Sequence, residues 1–297
     1  MILLEPVIHE TIWGGSRLNH YVKKEGIKTG HLYLVNGHRR LSNKVLNGRH
    51  AGAALDQIFP AEKGNWGMDD YEQFPLTIAL VDAKENLSIQ VHPDDQAARK
   101  LEKKSIGKTE SWLFLEEPEN QWIYAGCTCS TEEELREAVE NENMEFVTAR
   151  FPVKKDDYVS VAAGTLHALT AGSLVYEIEY GSDYTYRFYD YNRTDDFGNK
   201  RELHISKACE SIRFGRMPKK NKSMDGMWME EKNYAVCRMK NHSSYKNTGN
   251  QIECVSILDG SGQYEGIQIY SGMAALLLPG ETLDNVSLKD IIVARLK

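Results

Sequence analysis

The sequence predicts an all-β protein with inserted helices, on three observations. Short strand-like runs recur along the 297 residues, Gly-, Pro- and Asp-rich turns separate many of them, and helical patterning is confined to three stretches. In chain order the first runs are 76–81, 87–92, 112–115, 121–126, 158–161, 174–179 and 185–191. The run at 87–92 is the most regular, because apolar Leu87, Ile89 and Val91 alternate with polar Ser88, Gln90 and His92 before Pro93. Successive side chains of a strand point to opposite faces, so a hydroxyl, an amide and an imidazole share one side. That side meets either solvent or the wall of a cavity.

The helices have their own signals. In "TEEELREAVENEN" Thr131 and Glu134 form a capping box, and acidic residues fill the first turn. The stretch 94–104, "DDQAARKLEKK", begins with Asp caps and ends basic. The stretch 202–212 spaces Leu203, Ile205, Ala208, Cys209 and Ile212 for one buried face. Charge, Pro, Ser and Gly collect at 216–226, which reads as an exposed linker. Beyond it, runs at 234–239, 252–258, 266–270, 274–278 and 291–296 predict a second, smaller β unit. The expected domains are therefore 1–215, with the helical insertions, and 227–297.

Composition narrows the partners. The chain is 41% hydrophobic and 27% charged, as ordinary globular proteins are, and its net charge of −7 argues against nucleic acid. No run is long enough to span a membrane and the N-terminus lacks a signal-peptide pattern, so a cytoplasmic protein is expected. Five cysteines form no paired framework, which fits a reducing compartment. Cys127 and Cys129 resemble half of a metal site, but no second pair completes it.

Two histidines, a carboxylate and an amide make a candidate N/O site for a divalent ion: His92, His167, Glu110 and Gln90. Their spacings match no short metal signature. The surrounding strings are more specific. "FPLTIALVDAKENLSIQVHPDD", "GKTESWLFLE", "AAGTLHALTAGSLVYEIEYGSDYTYRFYDYNRTDDFGNKRELH" and the opening "PVIHETIWGG" closely resemble type I phosphomannose isomerases, in particular the shorter bacterial form. The resemblance implies a cupin fold of jelly-roll β-barrels, one metal-bearing and one smaller at the C-terminus. It also implies interconversion of mannose 6-phosphate and fructose 6-phosphate by a monomer or homodimer.

On that resemblance, Gln90, His92, Glu110 and His167 hold one Zn2+ per chain, and Arg187 is the catalytic arginine. Glu177 and Asp183 match acidic pocket positions suited to proton transfer, with the base unassigned. Ser88, Lys108 and Arg193 are candidates for the sugar phosphate, since a dianion needs charge-assisted donors. Arg193 has a second reading, as a surface partner of Asp195 or Asp196. Tyr184, Tyr186, Tyr189 and Tyr191 read as packing and rim residues, His204 as structural, and Trp13 as a core residue at a turn. Relatives usually read like "GEAWAISAHP" where this chain has "GHLYLVNGHR" (30–39), and they tend to carry Lys where Ala79 stands. Those departures support an alternative, a non-catalytic or substrate-shifted cupin that binds a sugar phosphate.

Overall fold

The computed structural model describes every residue except Lys23, Ser105, Ser223, Met224 and Asn285. Strands hold 43% of the chain and helices 15%, which carries the all-β class. The chain groups into two compact units. One contains residues 1–9, 17–80 and 223–297, and the other contains 10–16 and 81–222. Segment 17–80 thus groups with the C-terminal strands.

In the first unit an antiparallel sheet runs in the order Ile2–Leu4, Ala274–Leu277, Glu253–Tyr264, Val286–Leu296, Tyr234–His242, Trp228–Glu230. The chain's first strand is thus stitched into its last sheet, Leu3 pairing with Ala275. Leu3, Val255, Ile257, Leu277, Leu288, Ile291 and Val293 form its core. Period-2 alternation breaks down in 291–294, where four successive apolar residues are all buried.

The second unit holds every residue proposed for the metal. One sheet orders Tyr186–Tyr189, Ile89–Val91, His167–Ala168, Trp122–Cys127 and Thr148–Pro152. Facing it are Lys219–Lys222, Asp157–Val161, Lys108–Glu116 and Leu174–Gly181, again as neighbours in that order. The sheets remain open and do not close into barrels. The linker expected at 216–226 contains an exposed strand, Lys219–Lys222, on the sheet edge; Ser223 and Met224 lie outside the described residues. Lysines suit that place because charge discourages edge-to-edge association.

The helices follow their sequence signals. Glu132–Glu140 carries the Thr131–Glu134 capping box, and Asp94 accepts the N–H of Ala97 at the head of Asp95–Glu102. The third begins later than the pattern suggested, at Ile205, with His204 in the cap position. Among the described residues no helix is long and apolar enough to cross a membrane.

Gly181 ends the strand beside Lys108 at φ 108°, and a Cβ there would lie 2.2 Å from the Gly107 carbonyl oxygen. Neither the left-handed backbone nor the backbone obstacle can relax cheaply. Gly181→Ala should destabilise the protein by about 1–3 kcal/mol, read as a lower urea midpoint at unchanged slope.

Candidate metal centre

The site forms where two rows of cross-strand partners meet. In the first sheet His167 pairs with Gln90, and Gln90 pairs on its other side with Arg187. In the facing sheet Glu110 pairs with Glu179, and Trp112 with Glu177. Directly paired residues project to the same face, so His167, Gln90 and Arg187 stand in line. His92 follows Gln90 by two residues, just past the strand end. Ser88 and His92 are both buried, so the polar face of 87–92 is not the solvated one. Leu87, Ile89 and Val91 are buried too.

Glu110 lies between the two imidazoles. Its Oε2 is 3.1 Å from His92 Nε2 and its Oε1 is 3.0 Å from His167 Nε2. Each ring is oriented from behind, since His92 Nδ1 donates to the Tyr184 carbonyl at 2.9 Å and His167 Nδ1 to that of Thr165 at 2.8 Å. With the proton on Nδ1, both Nε2 atoms are lone pairs. Three acceptors therefore converge, fully buried, with no donor between them. That arrangement is costly unless a cation sits among them. One ligand atom from each of His92, Glu110 and His167 lies within 4.8 Å of the others, as a single ion requires. Gln90 turns its amide nitrogen toward His167 Nε2 at 3.5 Å, while its oxygen accepts the Ser88 hydroxyl at 3.3 Å; turning the amide over would bring the oxygen, the atom able to ligate, to the same place.

Electrostatics favour the ligating forms. Burial, helped by the Lys108 charge, pushes the His92 imidazole down to about 4, so it is neutral near pH 7. Burial alone would raise Glu110, but protonated His92 and His167 would hold it well below the ordinary carboxylate value through their charges and hydrogen bonds, the role a cation takes when the rings are neutral. Glu177 goes the other way. Burial, then the charges of Glu179 and Glu110, raise it well above the ordinary value, while Trp112 Nε1 donates to its Oε1 at 2.9 Å. Lys108 is buried, an environment that by itself lowers an ammonium, yet the charges of Glu179, Glu110 and Glu177 leave it raised.

The other expected residues fall out unevenly. Arg187 is half-buried, donating Nη1 to the Glu202 carbonyl at 2.8 Å, while its buried Nε makes no hydrogen bond among the described residues. Arg193 is already committed: Nη2 meets Asp190 Oδ1 at 2.6 Å and Nη1 the Asn86 carbonyl at 2.6 Å. Its carboxylate partners are thus Asp190 and, at 3.7 Å, Glu85 rather than Asp195 or Asp196. Asp183 is exposed and precedes the strand Tyr186–Tyr189. His204 is structural, exchanging hydrogen bonds with the Arg187 backbone. Trp13 is buried, its carbonyl taking the N–H groups of Lys84 and Glu85.

Sequence reasoning missed Glu179, whose Oε1 is 2.6 Å from Lys108 Nζ. The signal was available, since Glu177 and Glu179 are two apart on one strand and so share a face. It also missed Arg201, which joins Arg193 on Asp190. In the other unit, His31 and Tyr33 of the divergent segment stack on His9, with ring centroids 5.6 Å and 6.1 Å from it.

The fold and site define a class: a β protein with a buried His/Glu cluster able to hold a metal ion, set among carboxylates and cations. Residues 1–111 match the family model for the phosphomannose isomerase type I catalytic domain. A probable mannose-6-phosphate isomerase of Bacillus subtilis (strain 168), GmuF, is 40% identical over 71% of this chain and 68% of its own length. The mannose-6-phosphate isomerase of Streptococcus mutans is 34% identical over 72% and 68%. The crystal structure of the mannose 6-phosphate isomerase from Bacillus subtilis superposes with TM-score 0.82 at 29% identity, covering 99% of both chains. The chain belongs to the type I phosphomannose isomerase family.

The His92 shift has a measurable consequence. The unfolded chain takes up this proton near 6.5 and the folded chain only near 4, so the stability is present above 6.5 and lost as pH falls toward 4. Between pH 7 and pH 4, metal-free wild type should lose about 3 kcal/mol more than His92→Gln in urea titrations.

Proposed function

We propose that this chain is a zinc-dependent aldose–ketose isomerase that interconverts mannose 6-phosphate and fructose 6-phosphate. The observation that carries this reading is the buried convergence of His92, Glu110 and His167, which needs a cation, in a member of this family. Gln90, His92, Glu110 and His167 would hold the ion, and nitrogen and oxygen donors of these types suit zinc. A divalent ion there supplies Lewis-acid stabilisation of negative charge growing on a substrate oxygen.

The rest belongs to side chains. Isomerisation removes a proton beside a carbonyl and returns it to the neighbouring carbon. Glu177, whose pKa is raised by burial and by two neighbouring carboxylates, is the group suited to exchange that proton near neutral pH. Asp183 is the second candidate, in contact with solvent. Arg187, in register with Gln90, offers a cation to the enediolate-like transition state, where fixed charge acts most strongly in a dry site. Ser88 and Lys108 would meet the polar groups of the sugar phosphate. Arg187, Arg193 and Arg201 gather around Asp190, with Glu85 and Glu202 also near, and their guanidinium groups are donors of the kind that suits a phosphate.

The test is activity and metal content on one preparation. Purified protein should convert mannose 6-phosphate in a coupled assay, lose activity on chelation and regain it with Zn2+. A metal-loaded protein that shifts its melting temperature with sugar phosphate yet makes no product would establish the non-catalytic alternative instead. Arg187→Ala should lower kcat by about 10²–10³ with metal retained, and near-normal turnover would remove Arg187 from the mechanism.

A further inference from the structure

Glu110 and Glu179 are register partners on adjacent strands, so two carboxylates stand directly opposite each other on one face. Like charges in that position repel. Lys108, two residues before Glu110 on the same strand, resolves the conflict, but unequally. Its Nζ is 2.6 Å from Glu179 Oε1 and 4.0 Å from Glu110 Oε2. That same Glu110 Oε2 is the atom facing His92 Nε2. A buried ammonium therefore has two carboxylates within reach, and it is bonded to the one outside the His92–Glu110–His167 group.

We infer that Glu179 is a positioning residue that anchors Lys108 and so keeps Glu110 free to accept a divalent cation. The inference rests on the metal-centre reading proposed above. A lysine ammonium is a compact charge on a flexible four-carbon stem, so losing its partner lets it turn to the nearest other carboxylate. Without Glu179 that carboxylate is Glu110. An incoming metal ion would then have to displace the ammonium. Neighbouring groups that orient metal ligands typically change affinity by about 10–100-fold when altered.

A double-mutant cycle on the full chain separates this from simpler effects. Zn2+ affinity would be measured by chelator competition at fixed pH for wild type, Glu179→Gln, Lys108→Met and the double variant. Glu179→Gln should weaken Zn2+ binding by about 10-fold or more when Lys108 is present. In the Lys108→Met background it should cost less than about twofold, because no ammonium remains to migrate. Equal losses in both backgrounds would mean that Glu179 acts only as a negative charge near the ion or as a packing group, and would overturn the inference. Glu179→Asp serves if the Gln variant fails to fold, with a smaller loss expected that again vanishes in the Lys108→Met background. Failure of the wild type itself to bind Zn2+ would sink the metal-centre reading, a result distinct from additivity within the cycle.

Discussion

Everything in the second unit is organised around one electrostatic conflict. The Glu110 carboxylate and two imidazole lone pairs are pressed within hydrogen-bond distance with no proton to share. Such a group is unstable alone and stable around a cation, since burial that penalises isolated charge also strengthens attraction between opposite charges. The fold supplies the convergence from two facing sheets. Backbone carbonyls of Tyr184 and Thr165 supply the tautomer. Gln90, Glu110 and His167 stand on strands and His92 directly follows one, so the donor set is held ready rather than assembled by the ion.

Around that centre the charges are balanced in a particular order. Four ionisable side chains on two strands, Lys108, Glu110, Glu177 and Glu179, occupy one buried face. One ammonium cannot neutralise three carboxylates. The balance is met by raising Glu177, which burial and its two acidic neighbours favour in the protonated form. Glu110 is held down by positive charge among the imidazoles, and Glu179 is engaged by Lys108. Pushing the proton affinities of neighbouring carboxyls apart is how one site comes to contain both an anion and an acid.

Much of this was legible in the sequence because strand alternation is a local rule. The spacing of Ser88, Gln90 and His92 placed three polar groups on one face, and the capping box at Thr131 placed a helix start. What was hidden depended on pairing between distant segments. Residues 216–226 look like a linker by composition, yet Lys219–Lys222 finds hydrogen-bonding partners on Asp157–Val161, and no local pattern announces that. The same holds for Ile2–Leu4, a strand only because Ala274–Leu277 completes it. Arg193 was given nearby acids as partners, but the chain turns so that Asp190 and Glu85 are the carboxylates that meet it. Glu179 is a different case. Alternation alone put it beside Glu177 on one face, and it was overlooked because no metal or catalytic pattern required it.

Register also links the candidate metal centre to the cation proposed for catalysis. His167, Gln90 and Arg187 are successive partners across three strands, so the separation between the His167 imidazole and the guanidinium is set by strand spacing. Arg187 is further fixed by its backbone exchange with His204, which directly precedes the helix Ile205–Ser211. A guanidinium carried on a loop would lose much of its effect to reorientation, because electrostatic stabilisation of a transition state depends on charges already in place. Here the sheet does the placing. His31, Tyr33 and Ala79 lie outside this row.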